Sequence, residues 1–249
     1  MEWRSAAGVR WLEADLPKAR TAFSTRRGGV SEEPFRSLNL GILSGDRRDA
    51  VIENRRRLAA ALGLPPQRVV IGRQVHGAEL AIHPGPQVGS PFADPGGRIP
   101  KVDGHVTAEP DLAPLVFVAD CLPIALAGEG GVAMLHCGWR GLAAGIVNRG
   151  VEAIGATAAA IGPGIGPCCY EVGGEVLDAF TDLGPGIAHG RMLDLTEVAR
   201  RQLRHAGVER VEVAGLCTSC ERESFFSHRR DSGRTGRQAG LVWRESEAG

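Results

Sequence analysis

The stretch Leu115-Val116-Phe117-Val118-Ala119-Asp120-Cys121-Leu122-Pro123-Ile124-Ala125-Leu126, followed by Val132-Ala133-Met134-Leu135-His136-Cys137, decides how the chain must be built. Leu115 to Val118, Ile124 to Leu126 and Val132 to Leu135 are short apolar runs with no polar alternation, the mark of strands buried on both faces. Arg68 to Ile71, Ala158 to Ile161 and Val211 to Val213 repeat the pattern. Between them, apolar residues at helical spacing predict helices over Asp49 to Leu62, stopped by Gly63 and Pro65, and over Leu142 to Ile154. Two more are predicted over Glu175 to Leu183 and over Leu195 to Ala206, the last stopped by Gly207. Strands and helices mix without a clean βαβ repeat. The expectation is therefore an α+β fold, a layered sandwich of mixed β-sheets flanked by helices, rather than a doubly wound parallel sheet.

At 249 residues, the chain can bury a large core in a single domain spanning residues 1–249. Its 43% hydrophobic and 23% charged residues exclude disorder as the default. A net charge of +0 and a pI near 7.1 offer no field to attract nucleic acid or an anionic membrane. No apolar run approaches the roughly 20 residues that span a bilayer. Met1 to Gly8 has no basic head and apolar core of a secretory signal, so a cytoplasmic location is expected. Nearly all basic residues are Arg, only Lys18 and Lys101 being Lys; the plain reading is a GC-rich genome rather than phosphate binding. Six Cys are too few for a disulfide scaffold. Gly85 to Pro100, rich in Gly and Pro with few apolar anchors, reads as a surface loop, and the polar tail after Trp243 as frayed.

Three segments place a metal-type donor at the end of a strand candidate: Gln74-Val75-His76-Gly77, Ala119-Asp120-Cys121-Leu122-Pro123 and His136-Cys137-Gly138-Trp139-Arg140-Gly141. Each is weak alone, because a lone His or Cys beside a strand is more often packing, and the spacings are not those of a zinc finger. Cys217-Thr218-Ser219-Cys220 is a C-x-x-C, but a closed site there needs two more ligands, and no second pair is evident nearby. Gly162 to Gly166 lacks the Lys-Ser/Thr of a P-loop and reads as a turn shaping a wall, followed by Cys168-Cys169-Tyr170.

Ordered matches along the chain then resemble the YfiH/laccase-domain family (DUF152, FAMIN-like purine nucleoside enzymes). They begin at Thr25-Arg26-Arg27-Gly28-Gly29-Val30-Ser31 and run through Leu38-Asn39-Leu40-Gly41, Glu53-Asn54-Arg55 and the three segments above. They continue with Gly162 through Val172 and end at Cys217-Thr218, Phe225 through Asp231 and Gly236-Arg237-Gln238. The resemblance implies a zinc site on His76, Cys121 and His136. Three protein ligands would leave a fourth corner for water or substrate, the catalytic pattern. It also implies phosphorolysis of adenosine, inosine, guanosine and methylthioadenosine, together with hydrolytic deamination of adenosine, chemistry that zinc-activated water of pKa about 7 can perform. Purine nucleosides and phosphate are then the expected partners, with the chain a monomer or weak homodimer. Arg140 is the first candidate for phosphate, because its planar fork donates two parallel hydrogen bonds; a salt bridge bracing its turn is the competing role. Arg26, Arg55 and Arg230 are weaker candidates, and Asn39 and Tyr170 are candidates for nucleoside contact. Trp139 could stack on a purine or simply fill the core. The H-x-E of other zinc deaminases is missing, Glu79 lying three residues after His76, so Asp120 beside Cys121 is the carboxylate candidate, as catalyst or as a group orienting the ligand.

The chain departs from the family's usual residues at His105, read as a neutral surface substitution rather than an extra group at the site, and at Cys137. Cys137 should point away from His136 if the strand is extended, and is not counted as a ligand. Two other functions remain open. One is a copper-dependent polyphenol oxidase: His, Cys and His with Met134 nearby is a blue-copper set, although seven His without any H-x-H cannot build a conventional laccase cluster. The other is a Cys-dependent amide hydrolase, or peptidoglycan editing factor, with Cys121 as nucleophile and His76 or His136 as base.

Overall fold

The computed structural model describes residues 1–96 and 99–246. Its strands are β1 (Glu2–Ala6), β2 (Val9–Glu13), β3 (Arg20–Ser24), β4 (Val69–Val70), β5 (Leu80–Ile82), β6 (Gly104–Thr107), β7 (Ala113–Val118), β8 (Leu122–Gly128), β9 (Gly131–Cys137), β10 (Ala156–Ile161), β11 (Ala188–His189), β12 (Met192–Leu193), β13 (Arg210–Val213) and β14 (Gln238–Trp243). The helices are α1 (Arg48–Leu62), α2 (Trp139–Ala143), α3 (Ile146–Ile154), α4 (Gly174–Asp178) and α5 (Leu195–His205). One six-stranded sheet has the order β1-β2-β3-β14-β7-β4, a second the order β13-β10-β8-β9-β6-β5, and β11-β12 form a small ribbon. Both large sheets are mixed: β4 runs parallel to β7, β5 to β6 and β10 to β13, while the other pairs are antiparallel.

Alternation along each strand sorts the side chains into layers. On β7, Val116 and Val118 meet Ala125 and Ala127 of β8, Val132 and Met134 of β9 and Val242 of β14, forming the core between the sheets. Leu115 and Ala113 turn the other way, to Leu58, Ala59 and Leu62 of α1. On the far side of the second sheet, Leu122, Ile124, Leu126, Ala133 and Leu135 pack against Leu142, Ile146, Val147, Val198 and Leu203 of α2, α3 and α5. Both faces of the central strands are covered, which is why these runs lack polar alternation. The result is the layered α+β sandwich of mixed sheets expected from the sequence.

The differences are local. The first sheet's β1, β2 and β3 escape a search for apolar runs, because β1 is an exposed polar edge and β2 mixes Arg10 with its apolar residues. β14, buried along its whole length between β3 and β7, was also missed. The helix predicted over Leu142 to Ile154 is divided into α2 and α3 by Gly145, whose φ of 82° lies where only glycine sits without strain. That over Glu175 to Leu183 stops as α4 and resumes as a single turn at Thr181–Leu183, with Phe180 buried between them. Only Val69 and Val70 of the run Arg68 to Ile71 are paired. Gly85 to Pro100 is tied down by Phe92, fully buried, and by Gln87, whose side chain bonds both the N–H and C=O of Ile71; residues 97–98 of that loop lie outside the described residues, as do residues 247–249 of the tail expected to fray. Among the described residues no helix is long and apolar enough to cross a membrane.

Two buried polar residues correct earlier expectations. Arg55 is a structural group: its guanidinium donates to the carbonyls of Leu40, Pro91 and Phe92 and lies between the Phe92 and Phe117 rings, so it is not available to a phosphate. His105 is not at the surface but fully buried on β6, with Nδ1 3.0 Å from His83 Nε2 and its own Nε2 without a partner among the described residues. Burial, then the neighbouring His83, pull its pKa down to about 3, against the opposing pull of Asp103. An unfolded His protonates near ~6.5, so below that pH the unfolded chain holds a proton the fold refuses. Stability is therefore expected to be flat in this group above pH ~6.5 and to fall as pH drops from there toward about 3. Urea midpoints measured across that range should decline less steeply for His105→Gln; an unchanged slope would refute the assignment.

Candidate metal centre

β7 belongs to the first sheet and β8 to the second, so the chain must change sheets within Ala119-Asp120-Cys121. Asp120 makes the corner at φ 90°, a region that costs a non-glycine residue of order 1–3 kcal/mol. The corner delivers Cys121 to the edge of the seam between sheets. β9 lies beside β8 in register Pro123↔His136 and Leu122↔Cys137. His136 thus follows Val132 and Met134 on the face toward the first sheet, while Cys137 turns with Leu135 into the helix-side core and is fully buried. His76 arrives from the loop after β4. Gln74 docks that loop by donating to the Phe117 carbonyl at 2.7 Å and accepting from the Phe117 N–H at 2.8 Å. The N–H groups of Val75, His76 and Gly77 then all donate to the Asp103 carboxylate, at 3.0, 2.9 and 2.8 Å. This wrapping holds His76 at φ 60°.

One donor atom each from His76, Cys121 and His136 lie within 4.8 Å of one another, and the two imidazole rings are 4.9 Å apart at 73°. Asp103 also holds His136 Nδ1 at 2.8 Å, which leaves Nε2 as the free donor of that ring. Gly138 is part of the cradle: a Cβ there would stand 3.0 Å from the Cys121 sulfur and 3.4 Å from His76 Cδ2. Burial opposes ionisation of Cys121, yet the charge and hydrogen bonds of His136 and His76 bring its thiol down to about 6. For His136 burial is overcome by the Cys121 charge and by Asp103, and its pKa rises to about 9. Two imidazoles and a readily ionised thiol within one small sphere form a donor set that fits zinc or another borderline ion. His76 is exposed and His136 buried, so the cluster opens to solvent on the His76 side.

The other expected site residues divide. Arg140 stacks on the Trp139 ring at 4.4 Å and makes no ion pair among the described residues, so a bracing salt bridge is not its role there. Tyr170 is half-buried under the Arg229 guanidinium, and burial raises its hydroxyl to about 12. Asp120 is engaged at both oxygens: Oδ1 accepts from the Thr218 hydroxyl and Oδ2 from the Arg229 N–H, each at 2.7 Å. Arg230 donates to Asp231 and to the carbonyls of Thr218 and Phe225, and Arg26 to the carbonyls of Arg36 and Arg222. Asn39 is fully buried and bonded to Ser44, Asp46, Gly41 and Arg237. Glu79 pairs with Arg149 at the surface. Met134 packs in the inter-sheet core against Gly240. Sequence reasoning missed Asp103, a single acidic residue outside the family-like segments, and also Thr218 and Arg229 as holders of the corner. It also missed that Cys168 and Cys169 supply the second pair for Cys217 and Cys220. A depression of about 620 Å³ ringed by Arg20, Leu64, Arg68, Asp111 and Trp243 shares no residue with the centre.

Fold and site together define a layered α+β protein with a two-imidazole, one-thiol candidate metal centre at the edge of its sheet seam. The chain belongs to the multi-copper polyphenol oxidoreductase laccase family, whose model matches residues 20–245. A Geobacillus stearothermophilus relative, purine nucleoside phosphorylase YlmD, is 39% identical across 95% of this chain and 95% of its own. Purine nucleoside phosphorylase YfiH of Escherichia coli (strain K12) is 40% identical across 88% of this chain and 91% of its own. The crystal structure of YlmD from Geobacillus stearothermophilus matches with a TM-score of 0.88 at 38% identity over 98% of both chains. That of Bacillus licheniformis hypothetical protein YfiH matches with 0.87 at 33% identity, over 98% of this chain and 99% of its own.

Proposed function

We propose that the chain, acting as one cytoplasmic domain, is a zinc-dependent purine nucleoside phosphorylase that also deaminates adenosine. The observation that carries the reading is the convergence of His76, Cys121 and His136 on one point, open on one side, in a chain whose relatives are named purine nucleoside phosphorylases. When bound, the ion would supply Lewis acidity at its vacant corner. Arg140, exposed and stacked on Trp139 shortly after His136, would orient phosphate toward ribose C1′, where the C–O bond forms as the C–N bond to the base breaks. Tyr170, kept protonated to about 12, would donate a hydrogen bond to the nucleoside. Asp120, with both oxygens engaged, would hold the Cys121 corner rather than shuttle protons. Purified zinc-loaded protein should release free base from inosine, guanosine, adenosine and methylthioadenosine only when phosphate is present, with ribose 1-phosphate or its methylthio counterpart as co-product. It should convert adenosine to inosine, with ammonia, without phosphate. Base release at the same rate in phosphate-free buffer would overturn the phosphorylase reading.

One observation favours a second reading. Asp103, His136 and Cys121 are arranged as a carboxylate, imidazole and thiol in series, with the thiol brought down to about 6, as in a Cys-dependent amide hydrolase. That series has no need of His76, which bonds the same thiol. An acyl group trapped on Cys121 would support the hydrolase; protection of Cys121 from alkylation by stoichiometric zinc would count against it.

A further inference from the structure

A second group of ligands lies outside the centre described above. Cys168 and Cys169 end the turn that follows β10, and Cys217 and Cys220 occupy the loop that follows β13. The two loops run together through a parallel bridge at Gly164↔Cys217 and a hydrogen bond from the Thr218 N–H to the Gly164 carbonyl, 2.9 Å. All four sulfurs fall within 4.8 Å of one another, with Cys220 Sγ 3.5 Å from both Cys168 Sγ and Cys169 Sγ, and none is bonded in a disulfide. Four sulfurs around a zinc ion at ~2.3 Å stand about 3.8 Å apart, between the 3.5 Å and the 4.8 Å found here. The Cys217 sulfur also accepts from the Gly166 N–H at 3.2 Å and faces the N–H groups of Ser219 and Cys220. Cys217-x-x-Cys220 is therefore wound as a turn that presents both its sulfurs to one point, with the Cys168-Cys169 pair opposite.

We propose that Cys168, Cys169, Cys217 and Cys220 bind a second zinc-class ion in a closed tetrathiolate site. Four protein ligands leave no corner for substrate, so the role is structural. The site clamps the two loops that carry Tyr170, Thr218 and Arg229, and Thr218 and Arg229 in turn hold Asp120 beside Cys121. Through Thr218, Arg229 and Asp120 the paired loops reach the corner that carries Cys121, and the second ion would brace that connection from behind.

The test is metal analysis of the full chain, purified with reductant and zinc. About two equivalents of zinc per chain are expected. Cys121→Ala should lower this to about one, and Cys168→Ser/Cys220→Ser should remove the other equivalent instead. Because the first variant reports on the catalytic reading and the second on this one, the two can fail separately. Should the double variant not fold, alkylation mapping of the parent serves: all four thiols should resist modification when zinc is bound and become reactive together when a strong chelator removes it. A double variant retaining the parent's full zinc content, four thiols that alkylate equally with and without zinc, or a disulfide among them in the reduced preparation would each overturn the proposal.

Discussion

Cys121→Ala is expected to cost the first metal equivalent and to lower kcat/KM for phosphorolysis of inosine by at least about 10³. The thiol is the only ligand of the three that brings negative charge, and His76 and His136 by themselves would offer two neutral nitrogens and no closed geometry. A positioned metal ion contributes several kcal/mol of charge stabilisation, and each 1.36 kcal/mol is tenfold in rate. Folding should survive, because Cys121 sits at a partly exposed corner rather than in the core, and the corner's shape depends on Asp120, Thr218 and Arg229. Cys121→Ser should fall nearly as far, since a hydroxyl does not ionise at neutral pH. Metal content, steady-state rates and thermal unfolding of the same preparations provide the check. A variant without the equivalent but with parental rates would sink the zinc mechanism.

Asp103→Ala should produce the second large effect, although the residue touches no reactant. Its carboxylate accepts four hydrogen bonds, from His136 Nδ1 and from the N–H groups of Val75, His76 and Gly77. Removing it frees the His136 ring to rotate and releases the loop that holds His76 at a positive φ. Loss of such an outer carboxylate weakens metal affinity by roughly 10–100-fold. Leaving the donors unsatisfied should also cost about 2–4 kcal/mol of stability. Competition with a chromophoric chelator and urea unfolding report the two separately. Asp103→Asn retains one acceptor for His136 but sets its amide against the loop N–H groups, so loop and ligand effects can be told apart. Unchanged affinity in Asp103→Ala would remove Asp103 from the centre.

Much of this was legible in the sequence, and the reasons differ by element. Leu115 to Val118 and Val132 to Leu135 were plain because burial on both faces leaves an unbroken apolar run. β1 was not, since an edge strand that meets water carries the composition of a loop, and β2 and β3 break up their apolar residues with Arg10 and with Thr21 and Ser24. The three donors of the first centre could be named from their segments, but their meeting depends on a change of sheet that no local pattern announces. Asp103 looked ordinary because its partners are backbone N–H groups, which every residue has. The four cysteines went unpaired for a related reason. Cys168-Cys169 and Cys217-x-x-Cys220 are separated by β11 through β13 and α5, and only the parallel run of β10 and β13 brings their loops side by side.

The corner at Ala119-Asp120-Cys121 would make a bound ion a sensor of alignment. Its ligands are rooted in two different sheets, so slippage of one layer across the other changes the coordination sphere directly. The small residues Ala125, Ala127, Ala158 and Ala160 lie in the gap between the layers and so would govern the fit of an ion from a distance. Enlarging any one of them would detune the centre without touching it.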